Sequence, residues 1–339
     1  MPLSKLLRAL LVLALLILVV AACAPSPQRE LSMAGMDIVA KDDRYALVRL
    51  GRQQTFEDLA TVFLGHRAES WQIREVNADQ GVRSGQIVAV PLQPVNPSSV
   101  YTDGYRTLPI LCYHQFSVGK ASHQLELSAQ EFEQQIKYLL DNEYYILSFA
   151  QVREIMLQGR PIPERAVVLT IDDGYRSVYD VAWPILKKHN VKATLFNYTD
   201  FIGAPAALTW AQIKEMSASG LIEIESHAKS HSSLSQQPSD ISEAAYLARL
   251  REEIAGSNKA FRRHLGKAPS FLSYPYGNSS KQASDVARQE GMFLAATVTR
   301  GRNAVFADPY LLHRSMVYDR HDMADFEGML QTFTAKQLK

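Results

Sequence analysis

The chain has 339 residues, 36 Lys and Arg against 35 Asp and Glu, a net charge of +1 and an apolar fraction of 47%. Such a composition belongs to an ordinary globular protein with room for one sizeable domain and a smaller one. A charge balance so near neutral lacks the concentrated basic face that phosphate backbones require, which excludes nucleic acid as the expected partner and leaves small molecules, neutral polymers or proteins.

At the N-terminus, Lys5 and Arg8 precede an unbroken apolar run from Ala9 to Ala22, short for a bilayer span but suited to the core of an export signal. Residues 1–22 are therefore expected to be a signal peptide; an uncleaved helical anchor is the alternative, and either places the rest of the chain outside the cytoplasm. Val20-Ala21-Ala22-Cys23 sets small residues before a cysteine and resembles the lipobox of bacterial lipoproteins. The resemblance implies acylation of Cys23 and attachment to a membrane, with Ala24 in place of Asp favouring the outer membrane in a two-membrane envelope. Residues 23–43 carry Pro25 and Pro27 without a sustained period, the composition of a tether.

Residues 44–96 read as a small module. YALVRL is a strand, Thr55 caps a helix through Phe56, Leu59, Ala60 and Phe63, a second helix holds Trp71, Ile73 and Val76, and QIVAVPL is a closing strand. This β-α-α-β order, with Asn77 after the second helix, is similar to LysM modules, although Gly51-Arg52-Gln53-Gln54-Thr55 departs from their usual Gly-Asp-Thr-Leu. The resemblance implies binding of N-acetylglucosamine polymers; a spacer of the same ancestry has the same pattern. Residues 97–106 form a polar linker.

From residue 107 to 320, β-prone runs alternate with helical ones: PILCY, helix 129–142, VVLTI, helix 177–189, KATLFN, helix 210–219, LIEIES, helix 243–264, FLSY, helix 281–290, FLAATV and a last strand near Arg314. Strands spaced by amphipathic helices predict an α/β domain of parallel β/α units, a barrel or an open doubly wound sheet. Residues 321–339 are expected to be a C-terminal helix. Cys112, within LPILCYH, reads as a small buried hydrophobe, so no disulfide framework is expected.

Several of these strands end on titratable groups. PILCY ends at His114, AVVLTI at Asp172 and Asp173, LIEIES at His227, and FLSY at the turn Pro275-Tyr276-Gly277. Loops after strand C-termini share one face of a β/α barrel, so these residues can meet. Asp173, His227 and His231 offer one carboxylate and two imidazoles, the donor set of an open divalent-metal site. Taken singly, an H-x-x-x-H pair is often surface decoration and Asp-Asp-Gly is often a turn.

Jointly, the motifs resemble the polysaccharide deacetylases of carbohydrate esterase family 4, the NodB-homology domain. Thr170-Ile171-Asp172-Asp173-Gly174 corresponds to T-F-D-D-G, Ser226-His227-Ala228-Lys229-Ser230-His231 to H-[ST]-x-x-H, and Tyr274-Pro275-Tyr276-Gly277 to the third motif. The resemblance implies a deformed (β/α) barrel in which Asp172 is the general base and Asp173, His227 and His231 hold a divalent metal, zinc by preference or cobalt or nickel. It further implies that the Tyr276 backbone N–H stabilises the tetrahedral intermediate. Ser273 stands where the family usually has an Arg that holds the base. The permuted poly-β-1,6-N-acetylglucosamine deacetylase branch resolves this, with an early L-x-Y-H strand and a late Arg, positions filled here by Leu111-Cys112-Tyr113-His114 and Arg314. His114 is thereby the expected acid and His313 the alternative, because His114 follows a strand and His313 precedes one. The implied activity is hydrolysis of N-acetyl groups from an extracytoplasmic N-acetylglucosamine-containing polysaccharide, either exopolysaccharide or peptidoglycan. A non-catalytic glycan-binding lipoprotein, and an O-acetyl esterase using the same site, are the alternatives.

Overall fold

The structure, a computed structural model, describes residues 35–78, 81–235 and 237–336. Six strands, Leu108–Tyr113, Ala166–Ile171, Ala193–Asn197, Ile222–Ser226, Phe271–Ser273 and Leu294–Ala296, lie side by side in chain order and run parallel. The ring closes where Leu312 bridges Ala296 and Ser315 pairs with Leu111. Alternation along each strand divides the apolar side chains. Ile110, Val168, Phe196, Phe271, Leu294 and Leu312 meet in one cluster inside the barrel, while Leu111, Leu169, Leu195 and Ile224 face the surrounding helices. The fold is the deformed (β/α) barrel expected.

One unit escaped the sequence reading. Tyr145–Leu147 is a strand parallel to Ala166–Val168, and Phe149–Gln158 is a helix capped reciprocally by Ser148 and Gln151. Phe149 packs against Phe196 and Phe271, ring centroids 5.2 and 5.5 Å away, and so plugs the end of the barrel opposite the strand C-termini. Its short strand of three residues carries too little alternation to be recognised.

Glu223 and Glu225 alternate with Ile222 and Ile224 and point into this plugged end. Glu223 accepts from the N–H groups of Phe149 and Ala150, and Glu225 from those of Ser270 and Phe271 at 2.7 and 2.8 Å. Burial, reinforced by Glu223, pushes the Glu225 carboxyl well above the ordinary value of 4.5. A raised native pKa favours the protonated group, so this contribution to stability is complete below the ordinary glutamate value and declines as pH rises through the elevated one. We expect the melting temperature of Glu225→Gln, which keeps the acceptor without the charge, to fall less than that of the parent between pH 5 and 8; parallel pH curves would contradict this.

Three boundaries differ from expectation. Asp37–Lys41, assigned to the tether, is a strand antiparallel to Tyr45–Arg49, because Asp42 turns the chain by accepting from the N–H groups of Arg44 and Tyr45. The expected linker contains strands Val100–Tyr101 and Gly104–Arg106, and the expected C-terminal helix is limited to Met323–Met329. The chain beyond it forms strand Phe333–Ala335, antiparallel to Gly104–Arg106. β-Prone Phe333 and Thr334 find an edge to pair with there, which outweighs their helical surroundings in sequence. Cys23 and the apolar run before it lie outside the described residues.

The N-terminal module has the element order read from sequence, with helices Phe56–Phe63 and Ser70–Val76 between antiparallel strands Tyr45–Arg49 and Ile87–Pro91. Asn77 fixes the second helix to the sheet by bonding both the N–H and the carbonyl of Ala89. The module rests on the plugged end of the barrel: Glu69 pairs with Arg160 at 2.6 Å, Arg106 lies over the Trp71 ring, and His66 stacks on Tyr145. A cleft of about 660 Å³ at this junction, lined by His66, Tyr144 and Lys192 among others, is on the opposite side of the barrel from the residues described next.

Candidate active site

The same alternation that sends Ile110 and Val168 inward carries Cys112, Thr170 and Asp172 inward at the far ends of their strands. Asp172 is 1% exposed and Arg314 is fully buried. Arg314 meets Asp172 bidentately, Nη1 to Oδ1 at 2.8 Å and Nη2 to Oδ2 at 2.6 Å, while its Nη1 also donates to Thr170 Oγ1 and its Nε to the Thr297 carbonyl. Ser273 Oγ accepts from Arg314 Nη2 at 2.7 Å and donates to Asp172 Oδ2 at 3.1 Å. Burial alone would raise the Asp172 carboxyl; Arg314, helped by His227, overcomes it and holds the group at about 2.

Asp173 faces elsewhere because its backbone enters the left-handed region at φ 75°, followed by Gly174 at φ 87°. A Cβ at Gly174 would lie 2.5 Å from Asn197 Oδ1, so both the angle and the space require glycine. Asp173 Oδ1 comes within 3.4 Å of His227 Nε2 and 3.3 Å of His231 Nε2. Burial opposes its ionisation, but hydrogen bonds from the two imidazoles keep the carboxyl well below the usual range.

His227 and His231 lie on a loop, with Ala228 and His231 also left-handed. Non-glycine residues in this region store backbone strain of about 1–3 kcal/mol each and persist only where the surroundings over-determine them. Here Glu253, on helix Glu243–Leu265, accepts from the N–H groups of Lys229 and Ser230 and from the Ser230 hydroxyl. Ala228, where the family motif carries Ser or Thr, is fully buried among Leu234, Tyr246, Leu272 and Tyr274. Glu253 was not singled out from the sequence, since a helical Glu carries no sign of the loop it holds.

The donor set fits a divalent metal. His227 Nδ1–H donates to the Ser273 carbonyl at 2.8 Å, which reserves Nε2, the nitrogen facing Asp173, as the metal donor once it has given up its proton, and the three donor atoms lie within 4.8 Å of one another. Burial lowers the His227 pKa, but Asp172 and Asp173 raise it further and win. Metal uptake therefore displaces a proton.

His114 sits across Asp172 from the metal-type trio, grouped with Cys112 and Asp172. It is 9% exposed, its Nδ1 is buried without a partner, and burial lowers its pKa against the opposing pull of Asp172 and Asp173. His313 is elsewhere, lining a cleft with Tyr105, Thr107 and Arg302. Tyr276 is left-handed at φ 59° and 61% exposed, its ring 4.5 Å from that of His231. Tyr198 adds a second ring, 4.9 Å from His231 on the same rim, and Phe201 stacks on Tyr198 at 5.0 Å. Neither aromatic was identified from the sequence.

A barrel of this kind, with one carboxylate and two imidazoles beside an arginine-clamped aspartate at its strand C-termini, defines a class of protein equipped for metal-assisted hydrolysis. Residues 159–295 match the polysaccharide deacetylase family. YxkH of Bacillus subtilis, named for that family, is 33% identical over 218 residues, 64% of this chain and 74% of its own. The chain belongs to the polysaccharide deacetylase family. The poly-β-1,6-N-acetyl-D-glucosamine N-deacetylase of Staphylococcus aureus strain MRSA252 is 25% identical over 60% of this chain and 72% of its own. Among solved structures, IcaB from Ammonifex degensii superposes with a TM-score of 0.56 and 28% identity, covering 63% of this chain and 92% of that one.

Proposed function

We propose that the protein removes N-acetyl groups from an N-acetylglucosamine-containing polysaccharide outside the cytoplasm, while held at a membrane through Cys23. The observation that carries the catalytic reading is the division of two adjacent carboxylates, with Asp172 clamped by Arg314 and Asp173 turned toward His227 and His231. The staphylococcal relative's named activity supports the substrate class. Export and anchoring rest on the Ala9–Ala22 run and the residues before Cys23, and glycan binding by residues 44–96 rests on the likeness of their pattern to LysM modules.

Asp173, His227 and His231 would hold the metal, which supplies Lewis-acid polarisation of the acetamide carbonyl and activation of water. Asp172 takes the proton from the attacking water; the fixed hydrogen bonds from Arg314 and Ser273 keep its carboxylate oriented and ionised for that task. The Tyr276 N–H is assigned to the developing oxyanion. His114 hands a proton to the departing amine. Its lowered pKa makes the protonated imidazole a stronger acid, at the expense of a smaller protonated fraction at neutral pH.

Acetate release from defined oligomers of N-acetylglucosamine is the direct test. The metal-loaded protein is expected to release acetate, to lose at least nine-tenths of that activity on chelation, and to recover it with zinc, cobalt or nickel; turnover that survives chelation would overturn the metal reading. Parallel β-1,4- and β-1,6-linked oligomers then distinguish peptidoglycan-like from exopolysaccharide-like substrates.

A further inference from the structure

We infer that Ser273 is the positioning residue that keeps Asp172 off the metal and thereby maintains the separate roles of the two adjacent carboxylates. The inference rests on the metal-dependent reading above and concerns a contact that reading does not need. Asp172 Oδ2 is only 3.8 Å from His227 Nε2, the atom offered to the metal. A carboxylate that close to a divalent cation is a competent extra ligand, and a rotation about its side-chain bonds would be enough to deliver it.

Two groups oppose that rotation at Oδ2, Arg314 Nη2 and Ser273 Oγ, and they are themselves joined by the 2.7 Å contact between them. Arg314 reaches Asp172 from the last barrel segment, whereas Ser273 lies on the strand beside His227. Ser273 therefore touches both halves of the site: its hydroxyl binds Asp172 and Arg314, and its backbone carbonyl takes the Nδ1 proton of His227. It is fully buried. Ser273→Ala deletes the bond to Asp172 and unfastens one side of Arg314 while leaving the carbonyl that orients His227.

The consequence is unusual for damage to an active site, because loss of activity should accompany stronger metal binding. With Oδ2 held by Arg314 Nη2 alone, and that guanidinium no longer fastened by Ser273, Asp172 turns toward the metal as a fourth protein ligand and ceases to be a base. Full-length protein and Ser273→Ala would be titrated with Zn²⁺ against a chelating dye, and with Co²⁺ while recording its visible absorbance. The expected result is at least threefold tighter Zn²⁺ binding by the variant and a weaker, shifted Co²⁺ band as coordination rises, with kcat on N-acetylglucosamine oligomers at least tenfold lower and KM unchanged. Ser273→Thr, which retains a hydroxyl, should keep parental metal affinity and most of kcat. Zn²⁺ binding by Ser273→Ala that is unchanged or weaker overturns the inference whatever happens to activity. Failure of the parent protein to hydrolyse any of the oligomers would count against the deacetylase reading instead, and the metal titration would still decide the role of Ser273.

Discussion

Replacing Asp172 by Asn is expected to lower acetate release about a thousandfold, the scale of a lost general base, while the protein still binds one equivalent of metal. Asparagine has the same shape and keeps an acceptor for Arg314, so the barrel should fold; it cannot take a proton from water. The three residues assigned to the metal are untouched, with Asp173 facing away from Asp172 because of its left-handed backbone. Asp173→Asn should separate the two roles, since it loses a charged ligand and should lose metal together with activity. The pair of variants is informative only with stoichiometric metal analysis beside the rate. More than a tenth of parental turnover in Asp172→Asn would remove this residue from the proton-transfer step.

Arg314→Ala should produce the largest loss of stability of any single change at this site, about 3–5 kcal/mol, because it leaves a buried carboxylate without its counter-ion. The guanidinium contributes five hydrogen bonds, to Thr297, Thr170, both oxygens of Asp172 and Ser273, and none of the vacated partners is exposed to water. For a domain of this size the melting temperature should drop by roughly 10 °C. The pH dependence gives a further check. Asp172 has a native pKa depressed to about 2, so the stability it gains from Arg314 is present above the ordinary carboxylate value and is lost as pH falls toward 2. The deficit of Arg314→Ala should therefore be greatest near neutrality and shrink in acid, as measured by denaturant unfolding at several pH values. Arg314→Lys should fall between the two, since a single ammonium cannot reproduce the bidentate contact. A deficit that is small, or that does not change with pH, would mean that the pair is not the electrostatic unit described here.

These variants probe parts of the site that differ in how readable they are from the chain. Asp172, Asp173, His227 and the Tyr276 turn stand directly after apolar β-prone runs, and a strand that ends on a charged group is visible without knowing its neighbours. Their conversion into specific roles still depended on the resemblance of the three motifs to a family. Residues whose meaning lies in a distant partner were harder. Arg314 is an ordinary arginine in sequence, and Glu253 is one of several charged residues on a helix most of whose charges are exposed. Ser273 is a departure from the family motif in sequence, with Arg314 expected to take over support of the base; in the fold Ser273 is itself hydrogen-bonded to both Asp172 and Arg314.

Local order therefore determined much about this protein. The period of two along the barrel strands, the capping residues of the helices and the glycine after two aspartates prescribe which side chains face inward and where the chain must turn. They do so because sterics and hydrogen bonding between near neighbours act over a few residues. Tertiary structure decided what the inward-facing groups meet. Closure of the ring between Leu294–Ala296 and Leu108–Tyr113 brings residue 314 against residue 172, and the edge of Gly104–Arg106 turns the last part of the expected C-terminal helix into strand Phe333–Ala335. Those outcomes depend on pairing energies between segments separated by more than a hundred residues, which become defined only when the barrel has closed.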